Sequence, residues 1–142
     1  MGSAFFSIIT PVFNPPLEAF EKCVESVLNQ TFVNWEWCLV DDAGEGSKMR
    51  EVLQLLAQRD RRIKLATRDT NGGIVQASND CVGLARGEYL CLLDHDDQIR
   101  FDALEIIYES IAKTPLADYL YTDEDKIDSF GNHFDVFLKP RW

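Results

Sequence analysis

Apolar residues arrive along this chain in two rhythms, short unbroken runs and longer stretches with helical spacing, and polar loops separate them. Phe5 to Thr10 (FFSIIT) is apolar and β-branched, is stopped by Pro11 and leads into the polar turn Asn14-Pro15-Pro16, which predicts a first strand and its loop. From Leu17 the positions Leu17, Phe20, Val24, Val27 and Leu28 predict a helix ending near Gln30, with Pro16 at an entrance where its missing N–H has no partner to lose. Trp35 to Val40 predicts a second strand running straight into Asp41-Asp42, and Gly44 and Gly46 mark the loop beyond it. Met49, Val52, Leu53 and Leu56 then repeat helical spacing, with Ser47 as the expected N-cap, and Ile63 to Ala66 predicts a short third strand.

After Asn71-Gly72-Gly73, the positions Ile74, Ala77, Cys81, Leu84 and Ala85 form a small-residue helix face suited to close packing on a sheet, with Gly87 as the expected stop. Tyr89 to Leu93 is apolar at every position, which predicts a strand buried on both faces, and Asp94-His95-Asp96-Asp97 follows at once. Leu104, Ile107, Tyr108 and Ile111 predict a fourth helix, and Tyr119 to Thr122 a last short strand. No internal repeat is visible. Strand and helix in this alternation predict an α/β fold, a mostly parallel central sheet with helices on both faces. Ligands of such sheets bind beyond the carboxyl ends of the strands, where this chain places Asn14, Asp41-Asp42, Asn71-Gly72-Gly73 and Asp94-His95-Asp96-Asp97.

Composition narrows the classes of function. The 142 residues suit one domain, and 14 Lys and Arg against 24 Asp and Glu give a net charge of −10, the wrong sign for holding nucleic acid or an anionic membrane surface. No apolar run approaches the ~20 residues of a membrane-spanning helix, and the N-terminus lacks a signal-type segment. The expected location is therefore the cytoplasm, with peripheral attachment at the inner face of the cell membrane left open. Residues 1–4 read as a start and cloning scar. Cys23, Cys38, Cys81 and Cys91 are widely spaced within apolar segments and read as reduced, buried hydrophobes.

Asp94, Asp96 and Asp97, crowded after an apolar strand, repel one another unless a cation sits among them, and Mg²⁺ or Mn²⁺ takes such oxygen ligands together with phosphate oxygens. The competing reading is a solvated turn, or a helix cap supplied by Asp97 or Asp102. A metal would also let an acidic protein bind an anionic diphosphate. Glycines entering a helix at Asn71-Gly72-Gly73 let backbone N–H groups approach phosphate, although a plain turn has the same pattern. Asp41 and Asp42 can bind metal, cap the next helix or accept hydrogen bonds from a ligand; Arg68 is the nearby cation. His95 and His133 lack a Ser or Cys nucleophile at any recognisable motif, so a hydrolase triad has no support and His95 reads as a spacer. The acidic run from Asp118 to Asp135 reads equally as a solvated loop or an acceptor-side loop.

These residues resemble glycosyltransferase family 2, inverting enzymes with the GT-A nucleotide-sugar-binding fold. The resemblance is carried by Ile9-Thr10-Pro11-Val12-Phe13-Asn14, Leu28-Asn29-Gln30-Thr31-Phe32, Val40-Asp41-Asp42, Asn71-Gly72-Gly73, Ala85-Arg86-Gly87-Glu88-Tyr89 and Leu93-Asp94-His95-Asp96-Asp97 in that order, and Tyr121-Thr122-Asp123-Glu124-Asp125-Lys126 resembles members that build bacterial surface polysaccharides. It implies that Pro11 and Asn14 line the nucleotide pocket, that Asp42 accepts from the base, that Arg68, Asn71 and Gly73 lie at the nucleotide, and that Asp94 meets the ribose or the metal. Asp96, with Asp94 and Asp97 beside it, would hold Mg²⁺ or Mn²⁺ on the diphosphate. The implied partners are a nucleoside-diphosphate sugar and a saccharide or lipid-linked saccharide acceptor. Two departures stand out: Asp-Asp-Ala-Gly-Glu-Gly replaces the frequent Asp-Asp-Gly-Ser, and Ser78 stands where many members carry Arg. The resemblance also places the general base in a later segment, beyond Trp142, so residues 5–142 read as a donor-binding part with apolar surface at its cut edge open to self-association.

A dinucleotide-binding dehydrogenase is set aside because Thr-Pro-Val-Phe-Asn-Pro-Pro replaces the GxGxxG turn, and a phosphate-accepting signalling domain because its acidic pair would follow the first strand. A non-catalytic nucleotide-binding or interaction module stays as the alternative.

Overall fold

A computed structural model of the chain describes residues 4–140, except for the side chain of Ser47. The proposed scar therefore lies outside the described residues apart from Ala4, as do residues 141 and 142. The chain divides into two units, residues 1–106 and 107–142.

In the first unit the predicted alternation forms β1 (Phe6–Val12), α1 (Leu17–Leu28), β2 (Trp35–Asp41), α2 (Ser47–Arg59), β3 (Ile63–Thr67), α3 (Gly73–Leu84) and β4 (Tyr89–Leu92). The strands make one parallel sheet in the order β3-β2-β1-β4, with Phe6 opposite both Trp35 and Tyr89, and Trp37 opposite Ile63. Right-handed crossovers put α1 and α2 on one face, because β1 to β2 to β3 steps one way; α3 covers the other face because β3 to β4 steps back. Small residues let α3 sit close: Ala77 and Cys81 pack with Ile9, Cys38 and Val40. On the opposite face Trp37 Nε1 donates to Thr10 Oγ1 at 2.9 Å inside a fully buried layer.

Several local expectations are corrected. Pro11 does not end the first strand but lies within it, opposite Val40. The Ile9 carbonyl accepts from Leu93 N–H, and by strand alternation Pro11 turns its nitrogen to that same side, where β4 has already ended at Leu92 and no ladder bond is lost. Gly46 occupies the N-cap position of α2, at φ 89°, and Ser47 is its first helical residue; whether the Ser47 side chain caps lies outside the description. β4 is not buried on both faces: it is the sheet edge, with Leu90 50% and Leu92 77% exposed.

Gly87 does not cap α3, which ends at Leu84 with Ala85 extended. Its lack of a side chain is needed because a Cβ there would lie 2.6 Å from Ser7 Oγ and 2.7 Å from Ser7 N. Gly87 N–H donates to Ser7 Oγ at 2.8 Å, Ser7 donates to Glu36 at 2.7 Å, and Lys64 Nζ meets Glu36 at 2.6 Å. Arg86 N–H also donates to Glu36. Three groups thus converge on one buried carboxylate, with Gly87 joined to it through Ser7, and pin the connection from α3 to β4. Burial pushes the Glu36 carboxyl up, but the hydrogen bonds from Lys64, Ser7 and Arg86 outweigh it and hold it below its ordinary range.

A further helix, α4 (Ala103–Lys113), begins in the first unit, where Gln30 ties it down: Gln30 Oε1 accepts Leu104 N–H at 3.0 Å while its amide donates to the carbonyls of Ser26 and Arg100. The second unit holds β5 (Glu124–Ile127) and β6 (His133–Phe137), an antiparallel hairpin. Tyr119 to Thr122, predicted as a strand, is irregular, and the acidic run after it is not a bare solvated loop. Lys126 pairs with Asp135 across the hairpin, His133 Nδ1 lies within hydrogen-bond distance of Asp125 Oδ2 at 2.9 Å, and Lys139 reaches Glu124 at 3.0 Å. Among the described residues no helix is long and apolar enough to cross a membrane.

Candidate donor site

Adjacent residues of a strand point to opposite faces, and the end of β2 uses that alternation to serve both helix layers. Asp41, 3% exposed, turns to α2, where Oδ2 meets Arg50 Nε at 3.1 Å and Oδ1 accepts Gly44 N–H at 3.0 Å. Asp42, 2% exposed, turns to α3: Oδ1 accepts Gly72 N–H and Oδ2 accepts Gly73 N–H, both at 2.9 Å. The first turn of a helix has N–H groups with no intrahelical partner and a positive dipole end, and here a carboxylate from a neighbouring strand satisfies both needs. Arg68 Nε lies 3.0 Å from Asp42 Oδ1 as an ion pair while its N–H donates to the Thr70 carbonyl at 3.4 Å, and the Asn71 side-chain amide reaches the Asp42 carbonyl at 3.3 Å.

The two glycines meet different demands. Gly73, at φ 79°, needs a conformation that other residues resist. Gly72 needs space, since a Cβ would lie 2.6 Å from the Arg68 guanidinium. Asn14, at φ 47°, accepts Glu45 N–H at 2.8 Å and so ties the loop after β1 to the loop after β2. Asn14, Pro15, Leu17, Glu45, Lys48 and Met49 line a cleft of about 430 Å³ beside them.

The turn after β4 reaches the same edge. His95 Nδ1 lies 3.2 Å from the Pro11 carbonyl, which makes His95 an anchor for the turn rather than only a spacer. Asp94, Asp96 and Asp97 are exposed on it, with Asp96 Oδ1 4.0 Å from His95 Nε2. Beneath them Cys23 donates its S–H to the Asp94 carbonyl at 3.6 Å. Burial, with the charges of Asp97, Asp96 and Asp94 added, pushes the Cys23 thiol up to about 12. Among the described residues no three His, Cys, Asp or Glu side chains form a ready metal cage. The donors present still suit a hard divalent ion, because Mg²⁺ commonly takes one or two carboxylates and completes its shell with water and phosphate oxygens.

The predicted nucleotide residues Pro11, Asn14, Asp42, Arg68, Asn71, Gly73 and Asp94 thus lie along one sheet edge. Sequence reasoning missed Arg50, Gln76 and Asp80. The last two were detectable, because Gly72, Gln76 and Asp80 are four residues apart and share one face of a helix.

This sheet, with its acidic turns gathered at the carboxyl edge, has the architecture of the GT-A nucleotide-sugar transferases. The chain belongs to Glycosyl transferase family 2, whose model matches residues 7–132. It is 32% identical over 96% of its length to the O-antigen biosynthesis protein RfbC of Myxococcus xanthus. Among solved structures, S. aureus TarS in complex with UDP-GlcNAc matches 76% of this chain at 26% identity and a TM-score of 0.67. The Pyrobaculum calidifontis mannosyltransferase PcManGT, solved with GDP-Man and Mn²⁺, shares the fold, with 20% identity and a TM-score of 0.67 over 78% of this chain. The chain spans 11% of RfbC, 31% of the TarS chain and 33% of the PcManGT chain.

Proposed function

We propose that the carboxyl edge of the sheet is the donor site of an enzyme that moves a sugar from a nucleoside-diphosphate sugar to an acceptor hydroxyl with inversion, in the synthesis of bacterial surface polysaccharide. The observation that carries this reading is the joining of two clusters at one edge: the Asp42–Gly72–Gly73 latch and the Asp94–Asp97 turn, the latter fastened to β1 through the Pro11 carbonyl. Pro11 and Asn14 line the nucleotide, Asp42 offers its remaining lone pairs to the base, and Asn71 and Gly73 lie beside the nucleotide with Arg68 behind them. Asp94 faces the ribose or the metal. Asp96, with Asp94 and Asp97, would hold Mg²⁺ or Mn²⁺ against the diphosphate, and such an ion supplies charge neutralisation of the departing nucleoside diphosphate. The acceptor is a saccharide or lipid-linked saccharide, and the work is done in the cytoplasm.

Calorimetric titration with UDP, dTDP and GDP, each with and without Mn²⁺, tests this on the chain and on Asp96→Ala. One nucleotide should bind, need the metal, and lose its binding in the variant. Failure of every nucleotide to bind the folded chain would overturn the reading.

A further inference from the structure

Arg68 looks at first like the cation that would meet a diphosphate, yet each nitrogen of its guanidinium has a partner within the protein. Nε faces Asp42 Oδ1 at 3.0 Å, one terminal nitrogen donates to Gln76 Oε1 at 2.8 Å, and the other pairs with Asp80. Two carboxylates therefore flank one guanidinium, and the cluster carries a net negative charge that offers nothing to phosphate. The side chain lies along the face of α3 formed by Gly72, Gln76 and Asp80, and the missing Cβ of Gly72 makes room for it. Asp80, whose side chain is 47% exposed, sits two turns from the helix start and touches none of the residues assigned to the nucleotide except Arg68.

We infer that Asp80 is a positioning residue: with Gln76 it anchors the terminal nitrogens of Arg68 so that the guanidinium charge stays against the Asp42 carboxylate that reads the base. Without Arg68 beside it, Asp42 would keep the Gly72 and Gly73 N–H groups and lose the positive charge that balances its own. That charge is itself held from behind by Asp80. Asp80 thus acts on which base is chosen rather than on the strength of the diphosphate contact. This rests on the reading of the edge as a nucleotide site.

The test compares the chain with Asp80→Ala and Asp80→Asn by titration with UDP, dTDP and GDP in the presence of Mn²⁺, with thermal melting of each protein alongside. Asp80→Ala should weaken the preferred nucleotide about twofold to fivefold, the range of a half-exposed ion pair, and leave the other two unchanged, so that discrimination falls. Asp80→Asn, whose amide oxygen still accepts from the guanidinium, should fall between the two. Equal weakening of all three nucleotides, or unchanged binding of all three, overturns the inference and leaves the donor site standing. Absence of nucleotide binding in the unaltered chain overturns the donor-site reading and this inference with it.

Discussion

Glu36 and Lys64 meet at 2.6 Å inside the sheet layer, one strand apart, and their pairing ties the acid of β2 to the strand beside it while Ser7 and Arg86 complete the carboxylate's shell. The folded-state carboxyl is more acidic than in the unfolded chain. Its contribution is therefore whole above the ordinary Glu value, about 4.3, and drains away as pH falls through the lower folded value. Replacing Glu36 by Gln should lower stability by about 1–3 kcal/mol at neutral pH, and the gap to the unaltered chain should narrow below about pH 4. Urea unfolding across a pH series checks both.

Gly87→Ala should be among the more damaging single-methyl changes in this chain. The added Cβ meets backbone as well as the Ser7 hydroxyl, so the connection to β4 has to move away from β1. A loss of about 2–3 kcal/mol is expected in equilibrium unfolding, far above that of an alanine placed at Gly83, where nothing lies within 4 Å.

Gly72→Ala and Gly73→Ala should separate stability from binding. At Gly73 the positive φ makes alanine strained by about 1–2 kcal/mol, which appears in the melting temperature. At Gly72 the backbone is ordinary and the added methyl displaces the ends of two flexible side chains, Arg68 and Gln76. The fold should tolerate that change, while nucleotide affinity measured by calorimetry falls as Arg68 leaves Asp42.

All four cysteines are free thiols, and burial pushes Cys23 and Cys81 up to about 12 and Cys38 and Cys91 up to about 11. Thiolate is the reactive form, so an aromatic disulfide reagent at pH 8 should modify the native chain slowly and all four thiols at once in denaturant. Rapid modification of Cys23 in the native chain would mean that the turn carrying Asp94 to Asp97 opens.

The sequence made the order of elements plain because strand and helix rhythms alternate cleanly and Gly, Pro and Asn punctuate them. It did not disclose which strand lies at the edge. Leu90 and Leu92 are as apolar as the buried positions of β2, and only the order of pairing leaves them uncovered. The hairpin was hidden in its first strand, where Glu124-Asp125-Lys126 leaves Ile127 as the one apolar residue of β5, although Lys126 pairs with Asp135 across it. In the site, residue types showed where Asp42 and the glycines belong. They did not show that Asp42 is already occupied by two backbone N–H groups and an arginine, because that follows from the crossing of β2 and α3.

The sheet order β3-β2-β1-β4 also constrains how the chain assembles during vectorial synthesis. Of the four strands β1 leaves the ribosome before the others, finds β2 and then β3 on one side, and keeps its other side unpaired until Tyr89 to Leu92 have emerged. Throughout that interval the nascent chain presents Phe6 to Ile9 as an apolar edge able to pair with a foreign strand. Pairing of β4 closes that side of β1, and the Gly87 N–H bond to Ser7 Oγ fixes the connection that leads into it.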